Sequence, residues 1–491
     1  MQTLPVQIYS VASVREMDRT AIEDNGIPGY TLMTRAGTAA TRAARQRFPD
    51  AARWQIICGA GNNGGDGYVV ARLAASDGIV VSVLSLVEPA GLQGDAAKAY
   101  DDFVAEGGVV MPWNGELDDK AELLVDGMLG SGLEREVGGE FARAVAAING
   151  HSAPVLALDI PTGIHGDTGE VLGCAVIADL TMTFVGVKAG LLLGQAPNYC
   201  GELLFDGLEI PGDIFSVTPE FRRIDDAVLR RALPGRPRAA HKGDFGHLLV
   251  IGGGAGMPGA VRLCAEAALR VGAGRVSIAT DPTHAAMLTA TRPELMSHGV
   301  ATARDLEPLL ARSDVVAFGP GLGQTDWARE LYGVVAADTR PQVWDADALN
   351  LLAATPGSVD HRIITPHPGE AASLLACSTA DIQSDRRAAV IKLAEQYGGI
   401  SVLKGAGTLV SAVAGDVSVC TAGNPGMAAP GMGDVLTGII AGLLAQGLDT
   451  AESALVGVEV HARAGDRAAV AGERGMMASD LMGELRSVVN P

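Results

Sequence analysis

The chain is expected to fold as two consecutive α/β domains, each a three-layer αβα arrangement around a parallel sheet. Three observations predict this. In both halves short apolar runs alternate with helix-compatible segments, the mark of strands joined through crossover helices. At 491 residues the chain exceeds what a single core ordinarily organises. Its 64 glycines, against an aromatic content of 4%, favour many tight strand-to-helix turns over a β-sandwich.

In the first half, helices are expected over 13–25 and 32–48, with the turn Gly26-Ile-Pro-Gly29 between them. Strands follow at 54–58, 79–87, 123–126 and 155–158, and helices at 68–76 and 141–149. Ligands in such folds sit beyond the carboxyl ends of the strands, and three strand ends here carry distinctive residues. Gly59-Ala-Gly-Asn-Asn-Gly-Gly-Asp-Gly67 fits G-x-G-x-x-G, a weak signal by itself, but Asn62, Asn63 and Asp66 are more than a pyrophosphate turn needs. Asp126 opens Asp-Gly-Met-Leu-Gly-Ser-Gly132, and Asp159 opens Asp-Ile-Pro-Thr-Gly163. Asn63, Asp126 and Thr162 would supply hard oxygen ligands from neighbouring strand ends. Such a set suits a monovalent or group 2 cation better than zinc, and leaves Asp159 for acid–base work.

The second half restarts at His241-Lys-Gly-Asp244, with strands at 247–251, 315–318, 342–344, 363–364 and 402–403 and a long helix at 261–271. Each strand delivers a polar motif to one sheet edge: Gly252 to Ala260, Gly319-Pro-Gly-Leu-Gly323, Asp345-Ala-Asp-Ala-Leu-Asn350, Thr365-Pro-His-Pro-Gly-Glu370 and Lys404-Gly-Ala-Gly-Thr408. Lys404, Gly405, Ala406, Gly407 and Thr408 combine a cation, adaptable backbone and a hydroxyl, suited to nucleotide phosphates. The run is not a Walker A sequence. Gly431-Met-Gly-Asp434 leads into an apolar helix, whose N-terminal amides and partial positive charge favour phosphate. Asp434 is then either a cap or a base facing the transferring phosphoryl group. Glu370 and Asp345 are candidates to orient Mg²⁺ through water, and His367, between two prolines, to contact substrate.

Composition excludes several classes. A formal charge of −20 argues against general binding of nucleic acid or an anionic membrane surface. Six cysteines (Cys58, Cys174, Cys200, Cys264, Cys377 and Cys420) form no zinc spacing, so reduced thiols are expected. The opening Met-Gln-Thr-Leu-Pro5 lacks a leader pattern and no apolar run spans a bilayer, so the expected location is the cytoplasm.

Asn62-Asn-Gly-Gly-Asp-Gly67, Asp126 to Gly132 and Leu158-Asp-Ile-Pro-Thr-Gly163 together resemble the epimerase domain of the NAD(P)H-hydrate repair enzymes, over roughly residues 1–220. The resemblance implies a Rossmann-like domain that binds the damaged cofactor through Asn62, Asn63, Gly64, Gly65, Asp66, Asp159 and the run Gly130, Ser131, Gly132, Leu133, Glu134, Arg135, Glu136. It also implies K⁺ at Asn63, Asp126 and Thr162. Relatives often have Ser at the last position, which keeps the oxygen. The motifs of residues 236–491 resemble the ribokinase-like superfamily, and within it the ADP- or ATP-dependent NAD(P)H-hydrate dehydratases. That implies hydrated cofactor at Ala260, Gly323, His367 and Asp434, adenine nucleotide at Lys404 to Thr408 and Gly433, Asp434 as catalytic base, and Mg²⁺. Pro430 stands where relatives commonly have Gly.

The expected organisation is 1–222, epimerase; 223–240, a basic Pro/Gly-rich linker; and 241–491, dehydratase. The expected function is repair of hydrated NADH and NADPH: R and S epimers interconvert with Asp159 as acid–base group, and the S form is dehydrated at the expense of ADP. The partners are small molecules, with a homo-oligomer, a tetramer, as the expected assembly. The competing reading is a ribokinase-like kinase of a vitamin precursor or sugar with a non-catalytic N-terminal binding module.

Overall fold

The computed structural model describes residues 4–212, 216–290, 292–412 and 415–491; residues 1–3, part of the stretch scanned for a leader, lie outside these. The chain divides into two compact units, Met1–Arg222 and Arg223–Pro491. The stretch 223–240 belongs to the second unit and includes a helix, Asp226–Ala232. Asp225 caps it by accepting from the amides of Ala227 and Val228, and Leu229 is buried in the core. Its arginines are on the outside of a segment whose apolar side is packed.

The first unit is built on a seven-stranded, all-parallel sheet. The spatial order is Val110–Pro112, Val80–Ser85, Arg53–Cys58, Leu123–Gly127, Val155–Leu158, Leu180–Phe184, Glu202–Asp206. Strand residues alternate between its two covered faces: Trp54, Ile56 and Cys58 join one core cluster, whereas Ile57 and Leu124 join another. The order reverses between Arg53–Cys58 and Leu123–Gly127, so a crevice opens at their carboxyl ends. Asn62, Asp126 and Asp159 come from these two strands and the next. A separate short strand, Gln7–Tyr9, pairs in parallel with Val187–Lys188, placing Tyr9 opposite Lys188.

The second unit carries seven parallel strands in the order Met296–Gly299, Arg275–Thr280, His247–Ile251, Val315–Phe318, Gln342–Trp344, Arg362–Ile364, Ile400–Leu403. Two antiparallel strands, Thr408–Ala412 and Val417–Cys420, extend it. Here the order reverses between His247–Ile251 and Val315–Phe318. The helix Met432–Ala445 crosses the helix Pro258–Val271 at very short range. A Cβ on Gly438 would lie 2.0 Å from the carbonyl oxygen of Cys264, and one on Gly442 would lie 2.8 Å from Cα of Ala268. Glycines one turn apart let the two backbones touch. Among the described residues no helix is long and apolar enough to cross a membrane.

Candidate functional sites at the two switch points

From Asn62 onward the Gly-rich run of the first unit is helix rather than loop. The helix starts at Asn62 and continues to Ser76, six residues earlier than the apolar pattern suggests. Gly61 is its N-cap, and Gly64 and Gly65 lie in its first turns because space demands it: a Cβ on Gly64 would meet the carbonyl oxygen of Gly59 at 2.2 Å. The glycines therefore press the helix N-terminus against the strand end. Its free amides face the crevice.

A cavity of about 650 Å³ opens there. Asn62, Asn63, Asp66, Asp159 and the run Gly130 to Arg135 line it. Gly64, Gly65 and Glu136 do not. Gly65 packs against Met33, and Glu136 lies beside Gly173. A Cβ on Gly130 would be 3.3 Å from the Asn63 side chain and 3.4 Å from Asp159 Oδ2.

Asp159 has φ 65°, a conformation a non-glycine residue seldom adopts. The backbone there bends so that the carboxylate turns into the crevice. Its Oδ1 accepts from Lys188 Nζ and, at 3.4 Å, from Thr183 Oγ1, and its Oδ2 accepts from the Ser131 amide at 3.3 Å. Lys188 is only 2% exposed, and its ammonium also donates to Thr183 Oγ1 and the Phe184 carbonyl. No sequence motif points to Lys188. Its one signal is a lone lysine within the apolar run Phe184–Leu193.

Asp126 is fully buried beneath the cavity. It accepts from Thr162 Oγ1 at 2.7 Å, from the Thr162 amide at 2.8 Å and from the Met128 amide at 3.2 Å. Burial pushes its carboxyl up to about 6 against these hydrogen bonds. Asn63 is buried, and among the described residues neither its amide oxygen nor its amide nitrogen has a partner. An orphaned amide oxygen near a buried carboxylate is what a cation site requires. Among the described residues no three His, Cys, Asp or Glu side chains gather as a metal-binding group. The donor set, one carboxylate with an amide and a hydroxyl oxygen, therefore fits a weakly held cation such as K⁺. Asp66 has no such partners among the described residues; burial, followed by the charges of Asp159 and Asp18, raises its carboxyl well above the usual range.

In the second unit the helix begins at Met432 with Gly431 as N-cap at φ 87°. Val435 donates to the Gly431 carbonyl at 3.0 Å, so the amides of Met432, Gly433 and Asp434 are outside the helical ladder. Pro430 is exposed and precedes this cap, so its missing N–H removes none of those three donors. Gly433 stands next to Asp345 and Lys404: a Cβ there would lie 3.4 Å from Asp345 Oδ2 and from Lys404 Nζ. Burial pushes Asp434 up to about 7, the nearby Asp345 charge adding to it and Lys404 opposing it.

Lys404 Nζ donates to Asp345 Oδ1 at 2.6 Å and lies 3.7 Å from Glu370 Oε2. Burial pushes Asp345 up, but Lys404 outweighs it and holds the carboxyl below its usual range. With an ammonium between them, Asp345 and Glu370 do not offer a bare carboxylate pair to Mg²⁺. Glu370 Oε2 also accepts from the His367 amide, while His367 Nδ1 accepts from the amides of Gly369 and Glu370. His367 is thus the N-cap of the helix Pro368–Leu375, with its ring exposed. Gly323 donates its amide to Asp347 Oδ2 at 2.8 Å, and Ala260 lies against the same turn, its Cβ 3.0 Å from where a Cβ on Gly321 would be.

Arg386 is a further residue that the motifs missed. It is 4% exposed, and its guanidinium donates to the carbonyls of Leu403, Lys404 and Gly407. It props the turn Lys404 to Gly407 from below, and burial pushes it down to about 10. Its position 18 residues before Lys404, on the helix Arg386–Tyr397, left no sequence pattern to follow.

Both halves match known families. Residues 29–190 match the family described as YjeF-related protein N-terminus, and residues 248–486 match NAD(P)H-hydrate dehydratase. Curated relatives extend along the whole chain. A bifunctional NAD(P)H-hydrate repair enzyme of Coxiella burnetii is 49% identical over 486 residues, 99% of each chain. That of Escherichia coli is 43% identical over all of this chain and 95% of its own. An ADP/ATP-dependent NAD(P)H-hydrate dehydratase of Bacillus subtilis, crystallised with ATP/Mg²⁺, is 27% identical with a TM-score of 0.50. It covers 55% of this chain and 97% of that one. A ribokinase-like superfamily protein of Enterococcus faecalis is 28% identical with a TM-score of 0.52, covering 56% of this chain and 97% of that one. With two α/β units, the switch-point motifs in each and relatives matched from end to end, the chain belongs to the bifunctional NAD(P)H-hydrate repair enzymes.

Proposed function

We propose that the first unit interconverts the R and S hydrates of NADH and NADPH at the Asp159 cavity, and that the second dehydrates the S form at the Gly431–Asp434 turn using ADP. The observation that carries this reading is the pairing of Asp434 with the free amides of its own helix N-terminus, beside Lys404. A base near neutrality and an anion cradle then meet at one point. In the hydrate, the hydroxyl-bearing carbon is bonded to the ring nitrogen, whose lone pair helps expel a leaving group. Hydroxide leaves poorly and phosphate leaves well. Asp434 takes the hydroxyl proton while the oxygen bonds to the terminal phosphorus of ADP, and AMP departs with the electrons of the broken P–O bond. The amides of Met432 and Gly433 and the ammonium of Lys404 stabilise the charge on the transferring group. Phosphate then leaves with the C–O pair, and loss of a proton from the adjacent ring carbon restores the double bond.

Lys404 to Thr408 and Gly433 would hold the nucleotide, and Ala260, Gly323 and His367 the hydrated ring and its appendages. Mg²⁺ would arrive on the nucleotide phosphates, its usual mode of binding, because Asp345 and Glu370 are engaged by Lys404. In the first unit Asn63, Asp126 and Thr162 would hold K⁺, which supplies a fixed positive charge for an anionic part of the cofactor. Asp159 would act as an acid–base group on the hydroxyl-bearing carbon's oxygen. We take the assembly to be a tetramer, which light scattering would test.

The deciding experiment follows the reduced-nicotinamide absorbance of mixed R and S hydrates with Mg²⁺, K⁺ and ADP. Complete recovery is expected, because dehydration alone stops when the S epimer is exhausted. Recovery of only the S fraction, beyond spontaneous epimerisation, would remove the assignment of the first unit. No recovery with ADP or ATP would favour a kinase with a stable phosphorylated product.

A further inference from the structure

Given the epimerase reading of the first unit, inversion at the hydroxyl-bearing carbon makes a demand that Asp159 alone does not meet. The departing oxygen needs a proton on one face of the ring, and the water that enters from the other face has to lose one. Two proton-transfer groups on different walls of the cavity satisfy this; one carboxylate does not reach both faces.

The cavity has a second carboxyl, carried by a different element from Asp159. The helix Val11–Arg19 presents Val14, Arg15 and Asp18 to it, while Arg19 faces solvent in ion pairs with Glu16 and Glu23. The helix is anchored at its start, where the Val11 amide donates to Asp167 Oδ1 at 2.7 Å and Ser10 caps the Ser13 amide. Asp18 lines the cavity with Asp159, Asp66 and Lys188, yet forms no hydrogen bond or ion pair among the described residues. The Lys188 ammonium is already committed to Asp159, Thr183 and Phe184. Burial is the main cause pushing Asp18 up to about 6, with Lys188 opposing and Asp159 adding to it. Both protonation states are therefore accessible near neutrality. Asp66 is raised above the usual carboxylate range, chiefly by burial.

We propose that Asp18 is the second acid–base residue of the epimerase site, acting on the face of the hydrated ring opposite to the one served by Asp159. Protonated Asp18 gives its proton to the hydroxyl oxygen of one epimer. The C–O pair leaves with that oxygen as water, and the ring nitrogen lone pair forms a C=N bond. Water attacks the same carbon from the other face, the C=N pair returns to nitrogen, and Asp159 takes the proton released. Atoms and charge balance, with the proton moved from Asp18 to Asp159. The opposite epimer reacts from that second state in reverse.

The test uses the full-length protein without adenine nucleotide, in oxygen-18-labelled water, on separately prepared R and S hydrates of NADH. Wild type is expected to invert both and to incorporate label into both. Asp18→Asn is expected to slow inversion about 100-fold, in line with loss of one general acid–base group. It should still exchange label with retention in the one epimer whose oxygen Asp159 serves, and lose exchange in the other. Asp159→Asn should show the opposite pattern, and Asp18→Glu should regain much of the inversion. Inversion at the wild-type rate in Asp18→Asn overturns the proposal. So does equal loss of exchange in both epimers with no recovery in Asp18→Glu, which is how a structural role behaves. A wild-type chain that inverts neither hydrate would instead remove the epimerase reading itself.

Discussion

Lys404 Nζ lies 2.6 Å from Asp345 Oδ1, while Thr437 Oγ1 donates to the other oxygen of the same carboxylate at 2.8 Å. The lysine thus reaches the helix N-terminus as a positioned cation, tied at its far side to a residue from a different strand end. Lys404→Met leaves the Asp345 charge buried and unpaired, an arrangement that typically costs about 3–5 kcal/mol. We expect a loss of that order in the unfolding free energy of the second unit, read by denaturant titration. Nucleotide binding should be lost in the same variant.

In the proposed mechanism Asp434 is the base, so its carboxylate is the working form. With its carboxyl pushed up to about 7 by burial, the rate of dehydration at low hydrate concentration should fall as pH drops through neutrality, about tenfold per pH unit below that value. The limb should vanish in Asp434→Asn, whose kcat should be about 10²–10⁴ lower, as for loss of general base catalysis.

The same carboxyl carries a stability consequence of opposite sign. Its folded-state value lies above the ordinary 3.8, so the folded state holds the proton more tightly than the unfolded chain does. Stability is full below the unfolded value and declines as pH rises towards the folded one. Asp434→Asn should therefore be more stable than wild type at pH 8, by about 1.4 kcal/mol for each pH unit that separates the two values, and should lose that advantage near pH 4. Thermal melts at the two pH values check this.

Asn63 makes no side-chain hydrogen bond among the described residues, so its removal should not disturb the fold. If its amide oxygen ligates K⁺, wild type should melt higher in KCl than in choline chloride, by about 2.7 kcal/mol when K⁺ is at 100 times its dissociation constant. Asn63→Ala should abolish that difference while melting close to wild type in choline chloride.

Arg386 touches no reacting group in this arrangement; it holds the carbonyls of Leu403, Lys404 and Gly407. Arg386→Lys keeps the charge but loses the fork that spans three acceptors. We expect KM for ADP to rise about tenfold, corresponding to about 1.4 kcal/mol, while KM for the hydrate stays near wild type. A uniform fall in kcat with both KM values unchanged would contradict a role in shaping the nucleotide turn.

The sequence by itself determined the two α/β units, the strands that carry the motifs and the family, because apolar runs with Gly-rich ends are local patterns; strands without such ends, among them Leu180–Phe184, Arg275–Thr280 and Thr408–Ala412, were not read from it. Val155–Leu158, His247–Ile251, Val315–Phe318 and Gln342–Trp344 stand where their apolar runs end. Local pattern misled at the start of the helix Asn62–Ser76, where glycines that read as loop are helical because the strand end leaves no room for a Cβ. The same applies to the basic stretch containing Asp226–Ala232, whose buried Leu229 was masked by its arginines. Only the tertiary structure decided which charges meet. Lys188 reaches Asp159 across 29 residues and Lys404 reaches Asp345 across 59, and no spacing rule connects them. Asp18 shares a cavity with Asp159 because a helix near the chain start lies against strand ends formed much later. The burial that tunes Asp18, Asp126 and Asp434 is likewise a property of the packed chain. A residue type announces what chemistry is available; desolvation and the placement of neighbouring charges decide which protonation state carries it out.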